Sequence, residues 1–129
     1  VSTLKISSTI GPILVVEDQA DIRENIRYVL RNADLEIIEA ASGAEALEII
    51  NVVEAIELVI SDITMPGAIN GLDLARITKK ILPDMKIILM SGLAETYQIW
   101  CDAIKEFETL RKPFDNTKLL NTIHQSLTN

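Results

Sequence analysis

Five short apolar runs, each followed by an amphipathic stretch, constrain this chain more than any other feature. The runs are ILVV (13–16), EII (36–38), ELVIS (57–61), KIILM (86–90) and FETLR (107–111). Three of them are almost continuously apolar, the pattern of parallel strands covered on both faces; a strand with one wet face would alternate. Between them lie helical patterns. Ile22, Ile26, Val29, Leu30 and Ala33 form the i, i+4, i+7 stripe of an amphipathic helix. Ser42-Gly43-Ala44-Glu45 has capping-box spacing and precedes the apolar face Ala46, Leu47, Ile50. Leu74, Ile77 and Ile81 mark a third helix, which Pro83 ends. Leu93, Tyr97, Trp100 and Ile104 mark a fourth, and Leu119, Leu120, Ile123 and Leu127 a fifth that begins near Asp115.

Strands alternating with helices over short connections require right-handed crossovers. The expected fold is therefore α/β: a (βα)5 doubly wound, flavodoxin-like domain with a parallel five-stranded sheet in order 2-1-3-4-5. A chain of 129 residues is long enough for one such domain with a real core. Residues 12–129 are assigned to it and 1–11 to a polar tail or linker. Val1 fits either a processed N-terminus or a domain cut from a longer protein. No apolar run approaches the roughly 18 residues of a membrane span, and VSTLKISSTIG lacks the pattern of a secretory signal. A single cysteine, Cys101, fits a reducing, cytoplasmic setting. The net charge of -7 argues against direct nucleic-acid binding and is compatible with a cation site.

Doubly wound sheets bind ligands beyond the carboxyl ends of their strands, where the strand order reverses. Here that point lies between the first and third strands. Glu17 and Asp18 follow the first strand and Asp62 the third; Ser91 follows the fourth and Lys112 the fifth. Three carboxylates meeting in one crevice repel each other, and a divalent cation relieves that repulsion. Oxygen-only ligands suit Mg²⁺, with Mn²⁺ as a substitute, and no nearby His or Cys suggests zinc. Lys112 brings a compact positive charge, and the Ser91 hydroxyl can donate to a phosphoryl oxygen. Nucleophilic carboxylate, metal, cation and hydroxyl donor form a phosphoryl-transfer set.

The motifs ILVVEDQADIR, LVISDITMPG, IILMSG and LRKPF, in this order and spacing, resemble those of response-regulator receiver domains over residues 12 to 127. The resemblance implies that Asp62 accepts a phosphoryl group from a phosphohistidine on a partner histidine kinase. It implies that Glu17, Asp18, Asp62 and the backbone carbonyl of Thr64 hold Mg²⁺. It also implies that Ser91 bonds the phosphoryl group, that Lys112 pairs with it, and that the Lys112–Pro113 bond is cis. The loop MPGAINGLDL, one residue longer than in the commonest receivers, is similar to receivers of hybrid sensor histidine kinases. In the family an aromatic switch residue lies three positions before the Lys; here that position is Thr109, with Phe107 two residues earlier.

Other residues take ordinary expectations: His124 as a solvated helix residue, Cys101 as core or partly buried, Tyr97 and Trp100 as packing residues. Glu24, Glu45, Glu48 and Glu54 are expected to form solvated faces. The leading function is a Mg²⁺-dependent phosphoacceptor with slow self-dephosphorylation, in a hybrid kinase, a single-domain regulator or a transcriptional regulator. Its partners would be a kinase phosphohistidine domain and a downstream effector or phosphotransfer domain. An Asp-nucleophile phosphohydrolase is a competing class, although such enzymes place a second acid where this chain has Thr64. A phosphate-independent interaction module is a third. A nucleotide-binding Rossmann module has no Gly-rich turn to support it, because EDQADI follows the first strand.

Overall fold

A computed structural model describes residues 10–92 and 95–128. Five strands alternate with five helices: β1 (Ile13–Val16), α1 (Ala20–Asn32), β2 (Ile37–Ala40), α2 (Gly43–Val52), β3 (Leu58–Asp62), α3 (Gly71–Ile81), β4 (Lys86–Ser91), α4 (Tyr97–Glu106), β5 (Glu108–Arg111) and α5 (Asn116–Thr128). The strands are parallel in the order β2-β1-β3-β4-β5, as expected. Leu93 and residues 1–9, which carry part of the fourth-helix pattern and most of the tail, lie outside the described residues. Ile10 already packs against the core, and the Gly11 N–H donates to Glu57. No described helix is long and apolar enough to cross a membrane.

Strand alternation divides the core into two layers. Ile13, Val15, Leu58, Ile60, Ile88, Met90 and Leu110 face α1 and α5, where Ile26, Leu30, Leu119 and Ile123 meet them. Leu14, Val16, Val59, Ile87 and Leu89 face the other way, against Ala46 and Ile50 of α2, Leu74 and Ala75 of α3 and Ala103 of α4. The continuous apolar runs are thus explained, since both faces of each central strand are buried.

Two helices present different faces from those the periodicity suggests. In α3 the buried stripe is Leu74, Ala75 and Thr78, whereas Ile81 is 50% exposed. In α4 the core contacts are Ile99 and Ala103, while Tyr97 is 82% and Ile104 46% exposed. Tyr97 is therefore a surface residue, contrary to expectation. The physical reason is that small side chains let a helix approach the sheet closely, and hydropathy does not register them. Trp100 lies half-buried with the Arg111 guanidinium 4.8 Å from its ring centroid.

Every helix start except that of α1 is capped by a side chain. Ser42 accepts from the Glu45 N–H as expected, while the Glu45 carboxylate accepts from the Ala41 N–H. A full capping box unites Asn70 and Asp73 at the start of α3. Strand β2 lies one to two residues later than expected and carries Glu39. As an outer strand it can offer this acid to Arg23 and Arg27 at 3.1 and 2.8 Å.

Candidate functional site

All six residues singled out from the sequence lie at the carboxyl end of the sheet. Asp62 and Ser91 are the last residues of β3 and β4 rather than the first beyond them. Glu17 and Asp18 follow β1, and Lys112 follows β5. Asp62, Asp18, Lys112 and Thr64 line one cleft of about 350 Å³ together with Glu95. Glu17 and Ser91 sit behind it, buried.

The packing of β1, β3 and β5 fixes the charged groups. β1 and β3 are buried throughout and fix the acids, while β5, buried only at Leu110, brings in Lys112. Oxygens of Glu17, Asp18 and Asp62 lie within 4.8 Å of one another. Lys112 Nζ stands between two of the acids, 3.0 Å from Glu17 Oε1 and 3.1 Å from Asp62 Oδ1. Glu17, with 0% exposure, also accepts from the Gln19 N–H at 3.2 Å through its other oxygen. Arg23 donates to the Glu17 carbonyl at 2.7 Å and to Glu39, which fastens the turn between β1 and α1. The Lys112–Pro113 bond is cis.

The electrostatics follow from this crowding. The Asp62 carboxyl is pushed from 3.8 to about 6, first by burial, then by the Glu17 charge and to a smaller extent by Asp18. Lys112 pulls the other way without cancelling the rise. Burial opposes the Lys112 ammonium, but its hydrogen bond to Glu17 and the Asp62 charge outweigh this and raise its pKa. One ammonium thus pairs with two of three clustered acids, an arrangement that a second cation would complete. The donor set is oxygen only, which fits a hard cation of the Mg²⁺ class.

Two glycines shape the loop beside Asp62. Gly67 adopts a φ of 105°, which L side chains rarely take. Gly71 brings the start of α3 so close to β3 that a Cβ would overlap the Asp62 carbonyl oxygen. Its own N–H donates to the Ile63 carbonyl at 2.7 Å. Thr64, expected only as a carbonyl, also donates its hydroxyl to Glu95 Oε2 at 2.7 Å. Ser91 donates to Glu95 Oε1 at 2.6 Å. Glu95 is the residue missing from the sequence reading. Its one visible mark was its place immediately before the helix-capping Thr96, which accepts from the Ile99 N–H.

The aromatic position is as the sequence implied. Thr109 is half-buried in β5, while Phe107 caps the end of α4 and packs on the α2–α4 side of the core. His124 is half-buried on α5 and Cys101 half-buried on α4.

The family model for the response regulator receiver domain matches residues 13–124. Over 117 residues the chain is 36% identical to the sensor kinase CckA of Brucella abortus, a match covering 89% of this chain and 12% of that protein. It is 34% identical over 116 residues to the response regulator receiver protein CpdR of the same organism, covering 89% of this chain and 95% of that one. Among solved structures, a response regulator receiver domain protein from Clostridium thermocellum superposes with a TM-score of 0.83 at 33% identity, covering 92% of this chain and 94% of that one. The chain therefore spans nearly all of some relatives and a small part of others. With its five-stranded order, its motif positions and a family match over most of its length, the chain belongs to the response regulator receiver domains.

Proposed function

We propose that this receiver is a phosphoacceptor that takes a phosphoryl group from a phosphohistidine of a partner histidine kinase onto Asp62. The observation that carries the reading is Lys112 Nζ held 3.1 Å from Asp62, whose carboxylate lies within 4.8 Å of those of Glu17 and Asp18. Without a metal Asp62 titrates at about 6, and a divalent cation beside it would favour the ionised, nucleophilic form. An Asp62 oxygen forms a bond to phosphorus while the P–N bond breaks, its electron pair leaving on the imidazole nitrogen. Lys112 offsets charge on the phosphoryl oxygens, and the Ser91 hydroxyl donates to one of them. Buried strand β3 holds the nucleophile in a fixed direction, and the loop through Gly67 leaves its approach open.

Mg²⁺, or Mn²⁺ in its place, would be held by Glu17, Asp18, Asp62 and the Thr64 carbonyl, where it supplies neutralisation of carboxylate and phosphoryl charge. Later attack of water on the phosphorus of the acyl phosphate releases inorganic phosphate and restores Asp62. We further place residues 12–129 in the receiver of a hybrid sensor histidine kinase in the cytoplasm. The likeness to the sensor kinase CckA and the MPGAINGLDL loop support that setting; sequencing the flanking gene tests it. For the chemistry, the test is labelling with acetyl phosphate or a phosphohistidine donor. Label should appear only with Mg²⁺ or Mn²⁺ and vanish in Asp62→Asn; persistence in that variant refutes the assignment.

A further inference from the structure

We propose that Glu95 is a positioning residue of this site, a resident carboxylate that holds the Ser91 and Thr64 hydroxyls until a phosphoryl group displaces it. This rests on Asp62 being the phosphoacceptor. Both oxygens of Glu95 are engaged, Oε1 by Ser91 Oγ at 2.6 Å and Oε2 by Thr64 Oγ1 at 2.7 Å. Distances of this size belong to the strong class of O–H···O⁻ bonds. Ser91 Oγ also lies 3.2 Å from the Gly92 carbonyl, a longer and weaker alternative. The two hydroxyls come from different strand ends, so one acid ties the end of β4 to the loop after β3.

A hydroxyl has one hydrogen to donate. While Ser91 gives it to Glu95, it cannot give it to a phosphoryl oxygen. Glu95 lines the same cleft as Asp18, Asp62 and Lys112. Phosphorylation of Asp62 would bring about −1.5 to −2 charges into that cleft, facing an acid that already holds the donors. Repulsion and competition for the same hydrogens then act together to expel Glu95. Its neighbour Thr96 caps α4, so expulsion pulls on the start of that helix. The contact therefore favours the unphosphorylated state, and its rupture transmits the change to α4.

The experiment is a Mg²⁺-dependent titration with beryllofluoride, followed by ¹⁹F NMR, on the wild type, Glu95→Gln and Glu95→Ala. Both variants should bind about tenfold tighter than wild type, the scale of one charge-assisted hydrogen bond released. In a Ser91→Ala/Thr64→Ala background, Glu95→Gln should change affinity less than about twofold, because no donor remains to release. Unchanged or weaker binding in both single variants overturns the proposal. So does an equal gain with the hydroxyls removed, which would mean simple relief of charge. Should wild type bind no beryllofluoride and take no label, the phosphoacceptor reading fails by itself. The resting contact is then judged in metal-free protein, where the Ser91 and Thr64 hydroxyl protons should exchange slowly in wild type and quickly in Glu95→Ala. Fast exchange in wild type overturns the contact.

Discussion

Replacing Asp62 with Asn should stabilise the metal-free protein, by an amount that depends on pH in a defined sense. Asp62 titrates at about 6 in the folded chain against 3.8 unfolded. A raised carboxyl pKa means that the folded state binds the proton more tightly, so ionisation costs stability. The sign is therefore fixed: no cost below about pH 3.8, a growing cost through pH 4 to 6, and the full cost above. The displacement corresponds to about 3 kcal/mol at 1.36 kcal/mol per pH unit. Solvent at the mouth of the cleft screens part of this, and Asn gives up the Lys112 ion pair. The net gain at pH 7.5 should be about 1–2 kcal/mol. For a chain of this length that is roughly 4–8 °C in Tm. Urea unfolding of both proteins in EDTA at pH 4 and pH 7.5 measures it. Wild type should lose its disadvantage at pH 4. An Asn variant no more stable than wild type at pH 7.5, or a gain of equal size at both pH values, would refute the reasoning.

Three further substitutions separate the forces around the site. Lys112→Met leaves Glu17 buried without its cation and should cost about 2–4 kcal/mol in EDTA, part of it recovered on adding Mg²⁺, as read by thermal denaturation. Gly71→Ala drives a Cβ into the Asp62 carbonyl and should cost about 2 kcal/mol or more, with shifted Asp62 resonances in the NMR spectrum. Thr78 Oγ1 is buried with no hydrogen-bond partner, so Thr78→Val should stabilise by up to about 1 kcal/mol in urea unfolding without altering phosphoryl labelling.

How far the sequence carried depended on how directly each feature is written in side-chain polarity. The central strands were legible because burial on both faces leaves almost no polar residue in LVIS or IILM. The site was legible because Glu17, Asp18, Asp62, Ser91 and Lys112 each stand at a strand end, and a parallel sheet brings strand ends together. Outer strand β2 was placed too early, since Glu39 belongs to it but answers to Arg23 and Arg27 rather than to the core. The faces of α3 and α4 were misread because Ala75, Thr78 and Ala103 carry the close contacts while Ile81, Tyr97 and Ile104 face water. The Asn70–Asp73 box is written in NGLD, with Asp in place of the Glu or Gln of the usual spacing. Glu95 is marked only by its place before Thr96: its contact with Thr64 spans 31 residues and depends on the path of two loops.

The same geometry narrows how a change at Asp62 can reach the surface. Phe107 precedes β5, at the opposite end of the strand from Lys112, and packs into the α2–α4 side of the core. A ring placed there, half-buried beside Ile87 and Glu108, is remote along the strand from Asp62. Thr109, at the family's aromatic position, pairs in register with Leu89 and is too small to fill a vacated hollow. Ser91, by contrast, is the register partner of Arg111, whose guanidinium lies over Trp100 of α4. Ser91, Glu95, Trp100 and Arg111 also line a common depression in the surface. A hydroxyl that leaves Glu95 for Asp62 would therefore move beside the Arg111 guanidinium that lies over Trp100. In this receiver, an aromatic group that lines the same depression as Ser91 is carried by α4 and meets a guanidinium of β5, the reverse of an aromatic on β5 turning toward the helix.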